Sequence, residues 1–453
     1  MLVDPHCQHP GLKLALETEY DIIIIGAGVL GAASAFHLIR NHPSKKILMV
    51  ESYPGPANGN TGRSNAMFRN TFTSRDNQTL SDSTIDYYLD LQKSGTDIGM
   101  RKTGYLWLLS GRQLSRNERF ISEMQDAHIE IETYERNQLQ QALPTLRMDV
   151  QNSDEAKLLQ LEDIESAVFG AKCGRLDPVK ITEHYLHLFE NLGGKIAYNT
   201  LVERLLVEPN NQTGIEGEPF VWQDSTIVGV SVRGAVNGNI RSKNLVIAAG
   251  AWNNELLEKV GIDGHVKAKK RQMFIIQAGT NPELLHLIRN DSFNDIHTLP
   301  FVILPKAGCF LKAIPEKKEF WVACDDDFNR EYINIPSHQL DDYRAELQYY
   351  SYSVSPILRE YFEEFRGKNP SSMWAGLYSY NTLDYLPYVF AERGAIVVGG
   401  DSGSGIMKGD SLGRIVSAVY SGASDAELYN GNYYECEKIG FAHRSVEREE
   451  WVI

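Results

Sequence analysis

Cysteine is scarce and scattered in this chain. Its five cysteines (Cys7, Cys173, Cys309, Cys324 and Cys436) among 453 residues form no CxxC pair. An odd, unpaired set excludes a disulfide framework and predicts free thiols in a reducing, cytoplasmic setting. Basic blocks are also missing, and the net charge is −14, which makes nucleic acid and anionic membrane surfaces poor partners. No apolar run approaches the ~20 residues of a membrane span. The first twenty residues, MLVDPHCQHPGLKLALETEY, have neither a charged n-region nor a long apolar h-region, so no signal peptide is expected. His6, Cys7 and His9 could be drawn as a metal site, but a frayed tail explains them better. Nothing else has metal-ligand spacing. Internal repeats, low-complexity stretches and long linkers are absent as well.

What remains is an ordinary globular composition, 42% apolar and 23% charged, in a chain long enough for two or three domains. Residues 20–51 carry the strongest signal. The apolar run Ile22 to Ile25 meets Gly26-Ala27-Gly28-Val29-Leu30-Gly31. A helical pattern follows, then a second apolar run (Ile47 to Val50) closed by Glu51. Strand, glycine turn, helix, strand and acid in that order read as a dinucleotide-binding unit, the alternative being a glycine turn in an ordinary βαβ unit. Gly26 permits the tight turn and Gly28 lets backbone N–H groups approach a pyrophosphate. Gly31 lets the helix pack closely on the strand, so its positive end faces the phosphates.

A turn-rich stretch, 52–70, is long for a simple connection, and loops of that length are often functional. Helices are expected at 76–93, 113–128 and 178–192, with a strand at 104–110. Strands at 195–198 and 201–207 read as a pair, and 228–233 with 245–248 as strands around a turn at Gly238-Asn239. From 270 to 360 strand-like runs dominate (273–278, 301–305, 310–314, 320–323), ending in a helix at about 338–366. The α/β style then returns with a buried strand at 395–398, a glycine loop at 399–405 and a helix at 409–420. This second strand–glycine–helix unit suggests an extended ligand contacted from both ends of the chain; a structural C-cap and turn is the alternative on spacing alone. A helix N-terminus favours developing negative charge, which suits a flavin's pyrimidine edge better than nicotinamide.

Six ordered blocks then resemble the D-amino-acid-oxidase-type family of FAD enzymes, most closely its sarcosine oxidase and dimethylglycine or sarcosine dehydrogenase branch. They are DIIIIGAGVLGAASAFHL with Glu51; NGNTGRSNAMFRNTF (58–72); GRLDPVKITEHYLHLFENLGGKI (174–196); KNLVIAAGAWNNELL (243–257); KRQMFII (270–276); and YSYNTLDYLPYV with VVGGDSGSGIMKGDSLG (378–413). The resemblance covers about residues 20–430. It implies an α/β fold: a Rossmann-like, glutathione-reductase-like FAD-binding domain with an interleaved β-rich α+β substrate domain. The FAD domain is expected to be discontinuous (20–95, 166–268 and 370–430), with the substrate domain at 96–165 and 269–369. Tails are expected at 1–19 and 431–453.

The resemblance also implies site residues. Gly26, Gly28, Val29, Leu30 and Gly31 match the pyrophosphate turn, and Glu51, followed by Ser52, the acid at the adenosine ribose. Thr61, Arg63, Ser64 and Asn65 fall in the loop around phosphates and flavin. Val202 matches a backbone contact to adenine, and Ala249, Gly250 and Trp252 a second contact near the ADP. Gly403, Ser404, Gly405 and Ile406 match the loop at the flavin's pyrimidine edge. Lys408 and Arg69 match the cations that hold a substrate carboxylate, and Tyr378 and Tyr380 line the substrate site in relatives. Simpler alternatives are a structural salt bridge or a flavin contact for Arg69, a solvated helix start for Lys408 and core packing for the tyrosines.

Two departures from the family pattern carry expectations. Relatives attach FAD through a cysteine on the strand before the TLD stretch or a histidine in the early loop. Here 374–378 is WAGLY, and 52–70 has no histidine, so FAD is expected to be held non-covalently. The oxidase branch uses a lysine that activates oxygen; Trp321 falls near that position, with Lys317 and Lys318 before it on a turn. That favours a dehydrogenase. The implied reaction oxidises the C–N bond of a small amino acid, N-methylated or cyclic, by hydride transfer to flavin N5, with the imine then hydrolysed. A 2-hydroxy acid or glycerol 3-phosphate dehydrogenase, with a base such as His265 or His297, is the alternative, as is a flavin subunit of a larger complex. The electron acceptor and oligomeric state stay open.

Overall fold

In the computed structural model, which describes residues 17–325 and 343–451, the strand–turn–helix–strand unit comprises Ile22–Ile25, Val29–Asn41 and Ile47–Val50. All four isoleucines are buried, because a central parallel strand is covered on both faces and so reads as one apolar run. Ile22 and Ile24 face one apolar cluster and Ile23 and Ile25 the other. The sheet has six strands in the order Tyr388–Glu392, Ala395–Gly399, Leu245–Ile247, Ile22–Ile25, Ile47–Val50, Lys195–Ala197. All pairs are parallel except the first. Helices Val29–Asn41, Pro178–Asn191 and Gly409–Tyr420 cover one face. A three-stranded sheet (Gly238–Arg241, Ser225–Gly234, Thr200–Pro209) covers the other.

A second sheet has eight strands in the order Ser372–Asn381, Val266–Gln277, Glu319–Ala323, Phe310–Ile314, Phe301–Ile303, Tyr105–Ser110, Ile164–Gly170, Ile131–Glu135. Among the described strands, its one parallel pair joins Phe301–Ile303 to Tyr105–Ser110. An apolar cluster that includes Leu284, Leu287, Leu358 and Tyr361 packs against it.

Several local expectations need correction. Lys195–Ala197 and Thr200–Pro209 do not pair with each other. The chain turns at Asn199 (φ 52°), and each strand joins a different sheet. Gly238 and Asn239 are not a turn but strand residues paired with Val232 and Ser231. The turn lies just before them, where the Asn237 side chain bonds both backbone groups of Gly234. Leu245–Ile247 leaves that hairpin for the six-stranded sheet.

The boundaries expected at 166 and 370 are displaced, because Ile164–Gly170 and Ser372–Asn381 both pair in the eight-stranded sheet. The expected helix at 338–366 begins outside the described residues. Its described part is broken: Leu347–Tyr349, a wide turn at Tyr350–Val354, then Ser355–Tyr361. Pro356 has no amide to donate to the carbonyl four residues back, which interrupts the ladder. The region expected as a tail after 431 holds the strand Tyr433–Glu435 and a 3₁₀ turn, Cys436–Ile439. It then returns to the interior, where Trp451 is 4% exposed. His6, Cys7 and His9 lie outside the described residues.

Candidate functional site

A cavity of about 830 Å³ lies between the two large sheets, walled by both glycine loops, the 52–70 loop and the strand Ser372–Asn381. Its floor is the first glycine turn. Gly26 has φ +102°, and a Cβ there would meet the Ala248 carbonyl oxygen at 2.6 Å. Gly28, Val29 and Leu30 line the cavity. Gly31 does not: a Cβ on it would meet the Gly26 carbonyl oxygen at 2.0 Å, so this glycine seats the helix on the turn. The Val29 amide donates to Thr61 Oγ1 (3.2 Å), which ties the long loop to the helix start.

Glu51 and Ser52 sit at the end of the neighbouring strand, on the cavity wall. Glu51 Oε2 accepts from the Ala27 amide (2.6 Å), and Oε1 from the Tyr53 amide (2.9 Å) and Ser52 Oγ (3.1 Å). Burial pushes the Glu51 carboxyl above its usual range, while those donors pull it back.

Thr61, Arg63, Ser64 and Asn65 occupy the opposite wall. The Arg63 guanidinium donates to the carbonyls of Asn58 and Gly59 and lies 3.6 Å from the Tyr343 ring centroid. Val202, Ala249, Gly250 and Trp252 close the end beyond Glu51. Three buried polar atoms here have no hydrogen-bond partner among the described residues: Ser64 Oγ, Asn65 Oδ1 and Trp252 Nε1. Buried polar atoms without partners are costly. Together with the glycine cradle and helix N-terminus, they fit an extended polar anion such as FAD.

At the other end, Gly403, Ser404, Gly405 and Ile406 border the cavity. Gly403 has φ +84°, and its missing Cβ makes room for the Tyr378 ring, 2.3 Å from where that atom would be. Asp401 ties the loop together, accepting from the Gly405 amide (3.0 Å) and the Ser379 hydroxyl. Lys408 is 1% exposed, which removes the solvated-lysine alternative. Its Nζ donates to Asn77 Oδ1 (2.6 Å) and Ser404 Oγ (2.7 Å). Burial among neutral partners drops its pKa to about 7; Arg69 adds to the fall, and Glu449 and Asp401 oppose it.

Arg69 is 7% exposed, donates to the carbonyls of Thr71 (2.5 Å) and Trp451 (3.2 Å), and lies over the Phe72 ring at 4.1 Å. The simple salt-bridge alternative does not describe it, since the guanidinium donates to two neutral carbonyls. Tyr378 and Tyr380 face the same space, their rings 5.8 Å apart.

Several cavity residues escaped the sequence reading, among them Arg271, Asn77, Cys324 and Glu449. Arg271 donates to the Tyr380 hydroxyl (2.5 Å), and it lies in the quoted strand KRQMFII, where alternation could have exposed it. Asn77, Cys324 and Glu449 carry no sequence signal, because distant segments deliver them. His265 and His297 do not line the cavity; each sits beside an aspartate, Asp263 and Asp291. Trp321 packs edge-on against Trp374 (4.9 Å). Trp321 nevertheless has a cation beside it. Buried Lys312, its cross-strand neighbour, lies 4.6 Å from the Trp321 ring and donates to the Asn65 carbonyl. Burial pushes the Lys312 amine well below its usual pKa.

Among the described residues no helix is long and apolar enough to cross a membrane. Monomeric sarcosine oxidase from Bacillus sp. (strain B-0618) is 23% identical over 254 residues, 55% of this chain and 55% of that protein. That match therefore spans about half of the relative's length. FAD-dependent oxidoreductase domain-containing protein 1 from Xenopus laevis is 21% identical over 425 residues, 88% of this chain and 78% of that protein. Among solved structures, L-proline dehydrogenase from P. horikoshii superposes with a TM-score of 0.68 at 18% identity, covering 90% of this chain and 94% of that one. Glycine oxidase from Geobacillus kaustophilus gives 0.66 at 17%, covering 90% and 96%. At such identities the likeness is one of fold. The family described as DAO, FAD dependent oxidoreductase, matches residues 21–419, from the first strand through the helix behind the second glycine loop. The chain belongs to that family of FAD-dependent oxidoreductases.

Proposed function

We propose that the protein oxidises the C–N bond of a small amino acid, N-methylated or cyclic (sarcosine-, dimethylglycine- or proline-like), with FAD held non-covalently. One observation carries this reading: Lys408, nearly fully buried at the cavity wall, has two neutral hydrogen-bond partners. A buried ammonium without an anion is unfavourable, and a substrate carboxylate beside it would supply the missing charge. Arg69 adds a second cation at the same wall. The names of the relatives, sarcosine oxidase, proline dehydrogenase and glycine oxidase, support a small amino acid.

FAD would be held by Gly26 to Leu30, Glu51, Thr61 to Asn65, Val202, Ala249 to Trp252 and Gly403 to Ile406, and when bound supplies the hydride acceptor. This chain's residues orient and bind. Lys408 and Arg69 would fix the carboxylate, which aims the carbon next to nitrogen. Tyr378 and Tyr380 would wall the substrate. The Gly405–Lys408 turn starts the helix Gly409–Tyr420, whose positive end would favour charge gained on reduction. No acid–base pair is required if a neutral amine donates hydride; water then hydrolyses the imine. A hydroxy acid would need a base, and the two histidines considered for it stand away from the cavity.

We favour a dehydrogenase. Trp321 falls near the position of the oxidase branch's lysine, and burial pushes nearby Lys312 towards its neutral form, which weakens its ability to stabilise superoxide. Cys173, Cys309 and Cys436 are buried and outside any disulfide among the described residues, in keeping with a cytoplasmic setting. The deciding experiment mixes the yellow protein anaerobically with sarcosine, dimethylglycine, L-proline, D-amino acids and 2-hydroxyglutarate. Bleaching of the ~450 nm flavin band by an amino acid is the expected result. Bleaching by 2-hydroxyglutarate alone would overturn the reading.

A further inference from the structure

The last described segment, 445–451, reaches the two cations through contacts that neither the cofactor nor the substrate reading uses. Glu449 Oε1 accepts from the Thr73 amide (3.0 Å), Thr73 Oγ1 (2.9 Å) and the Trp451 amide (2.9 Å). Its Oε2 accepts from the Ser74 amide (3.3 Å) and Asn77 Nδ2 (3.0 Å). The same Asn77 side chain receives the Lys408 ammonium on Oδ1 at 2.6 Å. This order is enforced: reversing the amide would set its NH₂ against an ammonium and its oxygen against a carboxylate. Lys408, Asn77 and Glu449 thus form one directed chain.

Trp451 serves the other cation. Its carbonyl accepts from Arg69 Nη2 at 3.2 Å. Its indole packs edge-on against Trp107 (5.7 Å, 73°), inside an apolar cluster with Met67, Tyr105 and Phe301. That anchoring fixes where the carbonyl stands. Backbone carbonyls hold the guanidinium without neutralising it, so its charge stays available to a ligand.

We propose that Glu449 and Trp451 are positioning residues of the carboxylate site, setting Lys408 through Asn77 and Arg69 through a main-chain carbonyl. The inference rests on the reading that Lys408 and Arg69 hold the substrate's carboxylate. Glu449 also contributes charge: with Asp401 it holds Lys408 towards the protonated form, against Arg69 and burial. Among the described residues, Glu449, Asp401 and Arg69 are the charged groups that act on Lys408.

The test titrates the FAD-loaded full chain with acetate, followed by perturbation of the flavin spectrum, from pH 6 to pH 9. Glu449→Gln is expected to keep its bound FAD and to weaken acetate binding roughly tenfold, as the loss of an outer-shell partner does. The pH above which affinity falls is expected to move lower, because one anion has left Lys408. Glu449→Asp is expected to restore part of both. A merely structural clamp would leave that pH unchanged.

Lys408→Met separates the two layers of the argument. If Lys408→Met loses acetate binding while Glu449→Gln matches the unaltered protein, this inference fails and the substrate reading stands. If Lys408→Met binds acetate normally, both fail. Should Glu449→Gln yield no folded yellow protein, Asn77→Leu carries the same test, since it cuts the chain but leaves the carboxylate on Thr73 and Ser74. Unaltered affinity and pH profile in Asn77→Leu would overturn the proposal.

Discussion

His37 Nε2 and Asp410 Oδ1 stand 2.7 Å apart, both side chains wholly buried, although 373 residues separate them. They join the helix behind the first glycine turn to the helix behind the second. Arg414 Nε (2.6 Å) and the Tyr185 hydroxyl (3.3 Å) complete the shell around Asp410. The two helices run parallel and nearly in register: Gly409 lies against Val29, Gly413 against Ala33, and Ser417 Oγ donates to the His37 carbonyl. Both N-termini therefore open on one cavity, as an elongated anionic cofactor requires.

Asp410→Ala is expected to cost about 3–5 kcal/mol of stability, because it leaves buried His37 and partly buried Arg414 around a missing anion. Thermal unfolding measures it. Burial lowers the His37 pKa below 6.5 against the pull of Asp410. The unfolded chain therefore binds that proton first as pH falls, and stability drops below about pH 6.5. Burial works to raise the Asp410 pKa, but His37 and Arg414 outweigh it and hold the group below 3.8. Its contribution to stability is lost only at lower pH.

Carboxylate affinity is expected to fall as pH rises above about 7, where free Lys408 loses its proton. Lys408→Met should weaken binding by ~2–5 kcal/mol if the pair is buried and flatten that pH dependence. Arg69→Ala should also weaken binding. Spectral titration at several pH values checks both. For folding the sign is opposite: between about 7 and 10.5 the unfolded chain holds the extra proton, so this group favours the folded state more as pH rises.

Gly31→Ala is expected to lose FAD even if the chain folds. Its Cβ would lie 2.0 Å from the Gly26 carbonyl oxygen, which is backbone and has nowhere to go. Overpacking of this kind costs about 1–3 kcal/mol. Flavin absorbance per chain and the melting temperature report the two effects separately.

FAD should leave the unfolded chain freely. Mass spectrometry of the denatured yellow protein is expected to return the bare chain mass, because strand Ser372–Asn381 has no cysteine and the 52–70 loop no histidine. A species heavier by one FAD would refute non-covalent binding, and Cys324, which lines the cavity, would be the first residue to examine.

Turnover with an artificial dye under nitrogen is expected to exceed turnover in air without dye. Equal rates would reverse the preference for a dehydrogenase and point to Lys312, the buried amine beside Trp321.

Residues 20–51 were legible because each constraint there is local. A glycine turn, a buried apolar strand and a helix start depend on neighbours within a few positions, so residue type and spacing determine them. Lys408 and Arg69 could be named by motif, but their burial could not, since it comes from what other segments place over them. Sheet membership was also hidden. Ile164–Gly170 and Ser372–Asn381 are apolar enough for either sheet, and only pairing across the chain assigned them. The least visible element was the end of the chain. EREEWVI reads as a charged tail, yet Glu449 satisfies five donors and Trp451 fills an aromatic cluster. Those partners lie some 370 residues upstream in sequence, so the polar donors and apolar surface that order the segment exist only once the chain has folded.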